Sequence, residues 1–193
     1  NVAAGTYTGQ IDLSTMAGLS ATNTLTFDGG NGNAATRILT AAGTGTNYGT
    51  VRIQNLSYIT FKNLTIRGTS STAWPVHIMG SVAANNNTIK NCIIDFGTTG
   101  TGSFSSTNYM GIVLSGSTTS YSTNGNFANT TLDSNTINGG YAGIMAYVTS
   151  SVSNIKNRFT GNTINNTYYF GMYVGTMSGG FFDRNTISAL PGK

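Results

Sequence analysis

LDSNTI at 132–137, FTGNTI at 159–164 and FDRNTI at 182–187 are three copies of one phrase: a large apolar residue, two polar ones, then Asn, Thr and Ile. A second phrase stands before the last two copies, YAGIMA at 141–146 and YFGMYV at 169–174. Both are rich in the β-branched and aromatic residues that favour strands, and the Asn falls where a turn is needed. Self-similarity at a period of a few tens of residues predicts a solenoid. Each unit is too small to bury its own apolar face and stacks on its neighbours instead.

Reading back toward the N-terminus, the first phrase places inward apolar residues two apart at Val51/Ile53, Val76/Ile78, Ile112/Leu114, Ile144/Ala146 and Met172/Val174. The second phrase opens with Phe61, Ile89, Leu132, Phe159 and Phe182, and closes five residues later with Ile66, Ile94, Ile137, Ile164 and Ile187. The second phrase keeps its length while the connections vary. That contrast is expected of a parallel coil, where strands pair with their copies about 4.8 Å away and must hold register, whereas connections leave the stack freely. The longest excursions, around 95–111 and 115–131, are rich in Gly, Ser and Thr and flank one rung. A site carried on loops is expected there first.

The predicted fold is all-β: a right-handed parallel β-helix of about six or seven rungs, forming one domain over 1–193. Residues 1–47 supply N-terminal rungs, 48–187 the regular ones and 188–193 a truncated end. In the opening NVAAGTYTGQIDL, two short strands flank a Gly-Thr-Tyr turn. Ser14 to Ser20 reads as a helical turn or two, capped by Ser14 with Met16 and Leu19 on one side. The cluster Asp28-Gly29-Gly30-Asn31-Gly32 reads as a plain turn, because no helical pattern follows it as a phosphate-binding loop requires. The chain starts without Met and reads as a piece of a longer or processed protein.

Only 7% of residues are charged and Glu is absent, a composition unlike that of an ordinary cytosolic enzyme. With 38% hydrophobic residues placed regularly, disorder is excluded. The net charge of +4 reflects scarce acids rather than a basic cluster, so no nucleic-acid partner is expected. Cys92 is the single cysteine, which excludes an intrachain disulfide and a thiolate metal cluster, and its apolar surroundings mark it as a buried small hydrophobe. No apolar run is long enough for a transmembrane helix, so no membrane insertion is expected. No cofactor and no metal set is read.

Asn135, Asn162 and Asn185 share one position in successive rungs, with Asn63 and Asn91 one residue earlier in two others. All five are expected to form a structural ladder, each hydrogen-bonding the rungs above and below at a turn. Thr65, Thr136, Thr163 and Thr186 form an outward column broken by Ile93, which reads as β-propensity rather than a flat ice-binding array. Tyr48, Tyr109, Tyr141 and Tyr169 each stand three residues before the residue opening a rung, with Trp74 near the matching place. Such an aromatic ledge offers stacking surfaces for sugar rings, and Tyr173 and His77 lie beside it. The candidate ligand-binding residues are therefore Trp74, His77, Tyr109, Tyr141, Tyr169 and Tyr173. The competing reading is a tyrosine ladder that packs at a corner, with His77 an exposed strand residue. Asp133 and Asp183 share a column with Thr160 between them, about 10 Å apart at the strand spacing, and no catalytic carboxylate set converges.

These strand triplets with Asn-rich turns resemble the repeat of the pectate-lyase-like parallel β-helix proteins over about residues 48–187, and GTYTGQIDL at 5–13 resembles their first rungs. ITFKNLTIRG at 59–68 and the NTI triplets are similar to β-helix regions of large secreted surface proteins of Bacteroidetes, adhesin-like ones among them. The resemblance implies an extracellular or cell-surface module, a rigid structural or adhesin-type element. Its partners would be polysaccharide or cell-surface glycans and neighbouring domains of a larger chain. It also implies an alternative, a polysaccharide lyase or glycoside hydrolase. The NTD, DD, GHG and R-x-K segments of polygalacturonase-type enzymes of this fold are missing from the chain. An enzyme would then need its catalytic rungs elsewhere or in the 95–131 loops.

Overall fold

The computed structural model describes residues 1–31, 33–97, 104–149 and 154–190. Strand β1 (Gly5–Thr8) starts the stack, and six coils of three strands follow among the described residues. The first is β2 (Ile11–Leu13), β3 (Leu25–Asp28) and β4 (Arg37–Ala41). Next come β5 (Gly49–Gln54), β6 (Ile59–Lys62) and β7 (Thr65–Gly68), then β8 (Trp74–Met79), β9 (Thr88–Lys90) and β10 (Ile93–Asp95). The fourth coil is β11 (Met110–Ser115), β12 (Thr131–Asp133) and β13 (Thr136–Asn138). The fifth is β14 (Ala142–Ala146), β15 (Arg158–Thr160) and β16 (Thr163–Thr167), and the sixth β17 (Phe170–Val174), β18 (Phe181–Asp183) and β19 (Thr186–Ala189).

Every strand pairs in parallel with the strand three places away, so the chain winds as a parallel β-helix with three faces. Sheet I holds β2, β5, β8, β11, β14 and β17; sheet II holds β3, β6, β9, β12, β15 and β18; sheet III holds the remaining seven. The expected register is found. Val51, Val76, Ile112, Ile144 and Met172 are aligned on sheet I. Phe61, Ile89, Leu132, Phe159 and Phe182 are aligned on sheet II. Ile66, Ile94, Ile137, Ile164 and Ile187 are aligned on sheet III. These columns point into one apolar core, which also takes in the buried Cys92, whose thiol is pushed up to about 12 by burial.

Several local expectations are corrected. Ser14–Ser20 forms bends rather than helix, because seven residues with a glycine at φ 84° cannot sustain a nucleus. The helical element present is the 3-10 turn Ala34–Thr36, capped by the Asn33 side chain. Gly-Thr-Tyr at 5–7 lies inside β1, and Gly9 with Gln10 makes the turn. Phe182 is 46% exposed and Ile187 51%, whereas Phe159 one coil below is fully buried. All three face inward; the last coil has no described coil above it to cover its core side chains.

Two corners repeat from coil to coil. Between sheets II and III, Asn63, Asn91, Ser134, Gly161 and Arg184 all take positive φ, from 51° to 62°. The following position holds Leu64, Cys92, Asn135, Asn162 and Asn185. Here Asn162 Oδ1 accepts from the Asn135 amide at 3.1 Å and from Asn135 Nδ2 at 3.0 Å, while Asn162 Nδ2 donates to the Leu132 carbonyl at 2.9 Å. Asn185 repeats the pattern toward Asn162 and Phe159. The five asparagines thus occupy two columns. Asn135, Asn162 and Asn185 form the hydrogen-bonded series, the first two buried and Asn185 half-buried on the last coil. Asn63 and Asn91 hold the left-handed position beside it, joined to each other at 3.4 Å.

A second series turns the corner between sheets I and II. Tyr58, Asn86, Asn129, Lys156 and Gly179 have positive φ there. In the next position Asn87 Oδ1 accepts from the Ile59 amide at 3.1 Å and Asn157 Oδ1 from the Thr130 amide at 2.9 Å. Thr130 interrupts this series, and its buried hydroxyl has no hydrogen-bond partner.

Candidate ligand-contact face

Sheet I carries the aromatic residues, and its outer face is the candidate site. The outward column reads Asp12, Arg52, His77, Val113, Met145 and Tyr173, passing from charged to apolar to aromatic. Strands whose outward positions are also apolar are covered on both faces. Accordingly Trp74, Met110, Val113, Ala142 and Met145 form a second buried cluster outside the coil, packed by Tyr48, Tyr121, Tyr141, Phe170 and Tyr173. Tyr121 comes from the 115–131 excursion, and Trp74 Nε1 donates to the Thr107 carbonyl at 3.3 Å. Thr107 and Tyr121, described residues of the two excursions, thus cover part of the outer side of sheet I, while residues 98–103 of the first excursion lie outside the described residues.

The six candidate residues stand at different depths. Trp74 is buried, and His77, expected at an exposed strand position, is fully buried as well. The imidazole is edge-on to Trp74 at 5.2 Å, and its Nε2 is 3.2 Å from Ser115 Oγ. Burial, with the Arg52 guanidinium on the adjacent strand adding to it and Asp12 opposing, lowers the His77 pKa to about 3. It is a neutral core residue at neutral pH. Tyr109 is half-buried in its own cluster, edge-on to Phe96 at 5.8 Å and to Phe104 at 6.0 Å.

Tyr141, Tyr169 and Tyr173 belong to a continuous aromatic band over the fifth and sixth coils. Tyr141 stacks on Tyr169 at 5.4 Å with the planes 9° apart, and on Tyr168 at 6.2 Å. Phe170 links Tyr169, at 4.5 Å, to Tyr173, at 5.5 Å, and Tyr173 stacks on Tyr147 at 6.1 Å. Tyr169 is 65% exposed, the outermost ring of the band. Desolvation first, and then the neighbouring Tyr121, Tyr169 and Tyr168, raise the Tyr141 pKa, so its phenol stays protonated. Tyr147, Tyr168 and Phe170 were not singled out from sequence, although the run Tyr168-Tyr169-Phe170 advertises a dense aromatic spot.

The acids are committed elsewhere. Asp12 pairs with Arg52 at 2.6 Å, Asp28 with Lys62 at 3.1 Å, Asp95 with Arg67 at 2.6 Å, Asp133 with Lys90 at 3.0 Å and Asp183 with Arg184 at 2.9 Å. Asp28 is held down at about 2, chiefly by the Asn63 side-chain hydrogen bond, with help from the Gly30 amide and Lys62 against burial. Thr160 separates Asp133 from Asp183 in their column and donates to Asp133 at 2.6 Å. Two-carboxylate glycoside chemistry needs a pair flanking the scissile bond with their proton affinities set apart. These aspartates instead form a charge-compensated surface. Comparison with protein-family models, with curated proteins and with solved structures finds no match.

Proposed function

We propose that this chain is a rigid, non-catalytic glycan-contacting module of an extracellular or cell-surface protein, of the adhesin type found among pectate-lyase-like β-helix proteins. The observation that carries the reading is the band of stacked tyrosines on sheet I, with Tyr169 outermost. Aromatic rings offer a flat apolar face to a pyranose while their hydroxyls bond its oxygens. A parallel stack holds such rings at fixed spacing, and preorganisation of this kind lowers the entropy cost of binding. The stacked coils otherwise offer a stiff spacer between neighbouring domains.

The test is binding to a panel of neutral glycans and soluble polysaccharides. Tyr169→Ala should weaken capture about tenfold, the loss expected for a central aromatic anchor, with thermal stability unchanged because the ring is mostly exposed. A panel with no binder, or binding that Tyr169→Ala leaves intact, removes the glycan reading and leaves the spacer role. The lyase or hydrolase alternative predicts turnover of pectin or alginate, which the ion-paired aspartates speak against.

A further inference from the structure

Nine Lys and Arg residues accompany five aspartates in this chain, eight of the nine among the described residues, and matching those eight to the aspartates leaves three over. Arg52, Lys62, Arg67, Lys90 and Arg184 each hold an aspartate. Arg37 donates to the carbonyl oxygens of Val2 and Asn33. Lys156 and Arg158 have no aspartate left to pair with, and both line one groove on the outer side of sheet II, about 530 Å³ in volume. Asn157, between them, is buried in its corner hydrogen bonds, so the two flanking cations stand on the solvent side. The Arg158 guanidinium lies 4.6 Å from the centroid of the Phe181 ring, which is 44% exposed. That contact orients the guanidinium fork without neutralising it. Asn129 and Thr131 add hydrogen-bonding groups to the wall, and Gly179 and Gly180 leave it free of side chains on one side.

We propose that this groove binds the anionic group of an acidic saccharide, a carboxylated or sulfated sugar unit. Arg158 takes two oxygens of the anion in a forked hydrogen bond, and Lys156 supplies the second charge. Phe181, Asn129 and Thr131 meet the ring and its hydroxyls. The volume is that of a small-ligand cleft rather than a polymer channel. A nucleic acid would require a stripe of free cations tracking its phosphates, and the other described cations are held by aspartates or, for Arg37, by backbone carbonyls. The site extends the glycan reading to charged sugars, yet it stands on a different sheet from the tyrosine band and fails or holds independently of it.

The test is titration of the purified chain with dextran sulfate, polygalacturonate and neutral dextran. At least one acidic polymer should bind. Lys156→Gln and Arg158→Gln should each weaken that binding about tenfold, the worth of one charge-assisted contact, while neither changes any binding of neutral dextran. Binding should also vanish in about 1 M salt, where the screening length is about 3 Å. Binding of the sulfated polymer alone, or of the carboxylated one alone, identifies the anion. Should Arg158→Gln fail to fold, Lys156→Gln and the salt titration of the unaltered chain decide. No binding to either acidic polymer, or acidic-polymer binding indifferent to both substitutions and to salt, overturns the proposal.

Discussion

At the scale of single residues, the corners are held by asparagines that serve two coils at once. Asn162 accepts both the amide and the side-chain N–H of Asn135, so removing it orphans a buried backbone donor. Asn162→Ala should lower stability by about 1–3 kcal/mol, read from chemical denaturation, the range for leaving a buried polar group unpaired. Unchanged stability would place the corner's strength elsewhere. His77 makes the opposite kind of contribution. Its folded pKa of about 3 lies below the ordinary imidazole value of 6.5, so the unfolded chain binds the extra proton. The stability tied to this residue is complete above about pH 6.5 and is lost as pH falls toward about 3. Between pH 7 and pH 5 the native chain should lose roughly 2 kcal/mol more than His77→Gln does. Equal losses in the two proteins would show that the imidazole is accessible to protons when folded. The sequence disclosed the first of these residues and misread the second. NTI repeats announce a turn asparagine directly. The buried His77 meets Ser115, 38 residues away in the chain, and local alternation carries no trace of that contact.

At the scale of elements, register was legible wherever two invariant spacings coincide: inward residues two apart on sheet I, and five residues from opening to closing residue across sheets II and III. The corner series of Asn87 and Asn157 was not read, because the connections before it differ in length and hide the alignment. It emerges on counting two residues back from Ile89 and Phe159. The glycine of the first phrase has a packing reason as well. Gly111, Gly143 and Gly171 are aligned on sheet I, and a Cβ on Gly143 would collide with Ile164 Cγ2 and lie 2.7 Å from the Gly171 carbonyl oxygen. Gly143→Ala should therefore destabilise by about 1–3 kcal/mol through overpacking, despite the better strand propensity of alanine. A neutral or stabilising result would mean that sheets I and III move apart more easily than their packing suggests. The outer layer of sheet I was only half legible. The tyrosines were marked by their spacing, but the apolar outward residues Val113 and Met145 were not read as a covered face, and which rings are buried and which form the exposed band is settled by tertiary packing.

At the scale of the whole molecule, the fold distributes polar and apolar groups in a way that explains the odd composition. Backbone pairing and the asparagine corners satisfy the polar groups of each coil, so few charges are needed, and those present are mostly spent in columns such as Asp28, Lys62, Lys90 and Asp133. The two ends differ from the middle. Phe182 and Ile187 at one end, and Val2, Tyr7 and Phe27 at the other, line shallow apolar hollows where the core meets solvent. The side faces, by contrast, present the tyrosine band on sheet I and the Lys156–Arg158 groove on sheet II. Both depend on the coil keeping equivalent positions directly above one another. Nuclear Overhauser contacts among selectively labelled isoleucine methyls of sheet III test that stacking most directly. Ile137 should contact Ile164, and Ile164 should contact Ile187, with no direct contact between Ile137 and Ile187. Isoleucines paired instead across antiparallel hairpins, or Ile164 out of reach of Ile137, would contradict the coil and every site placed upon it.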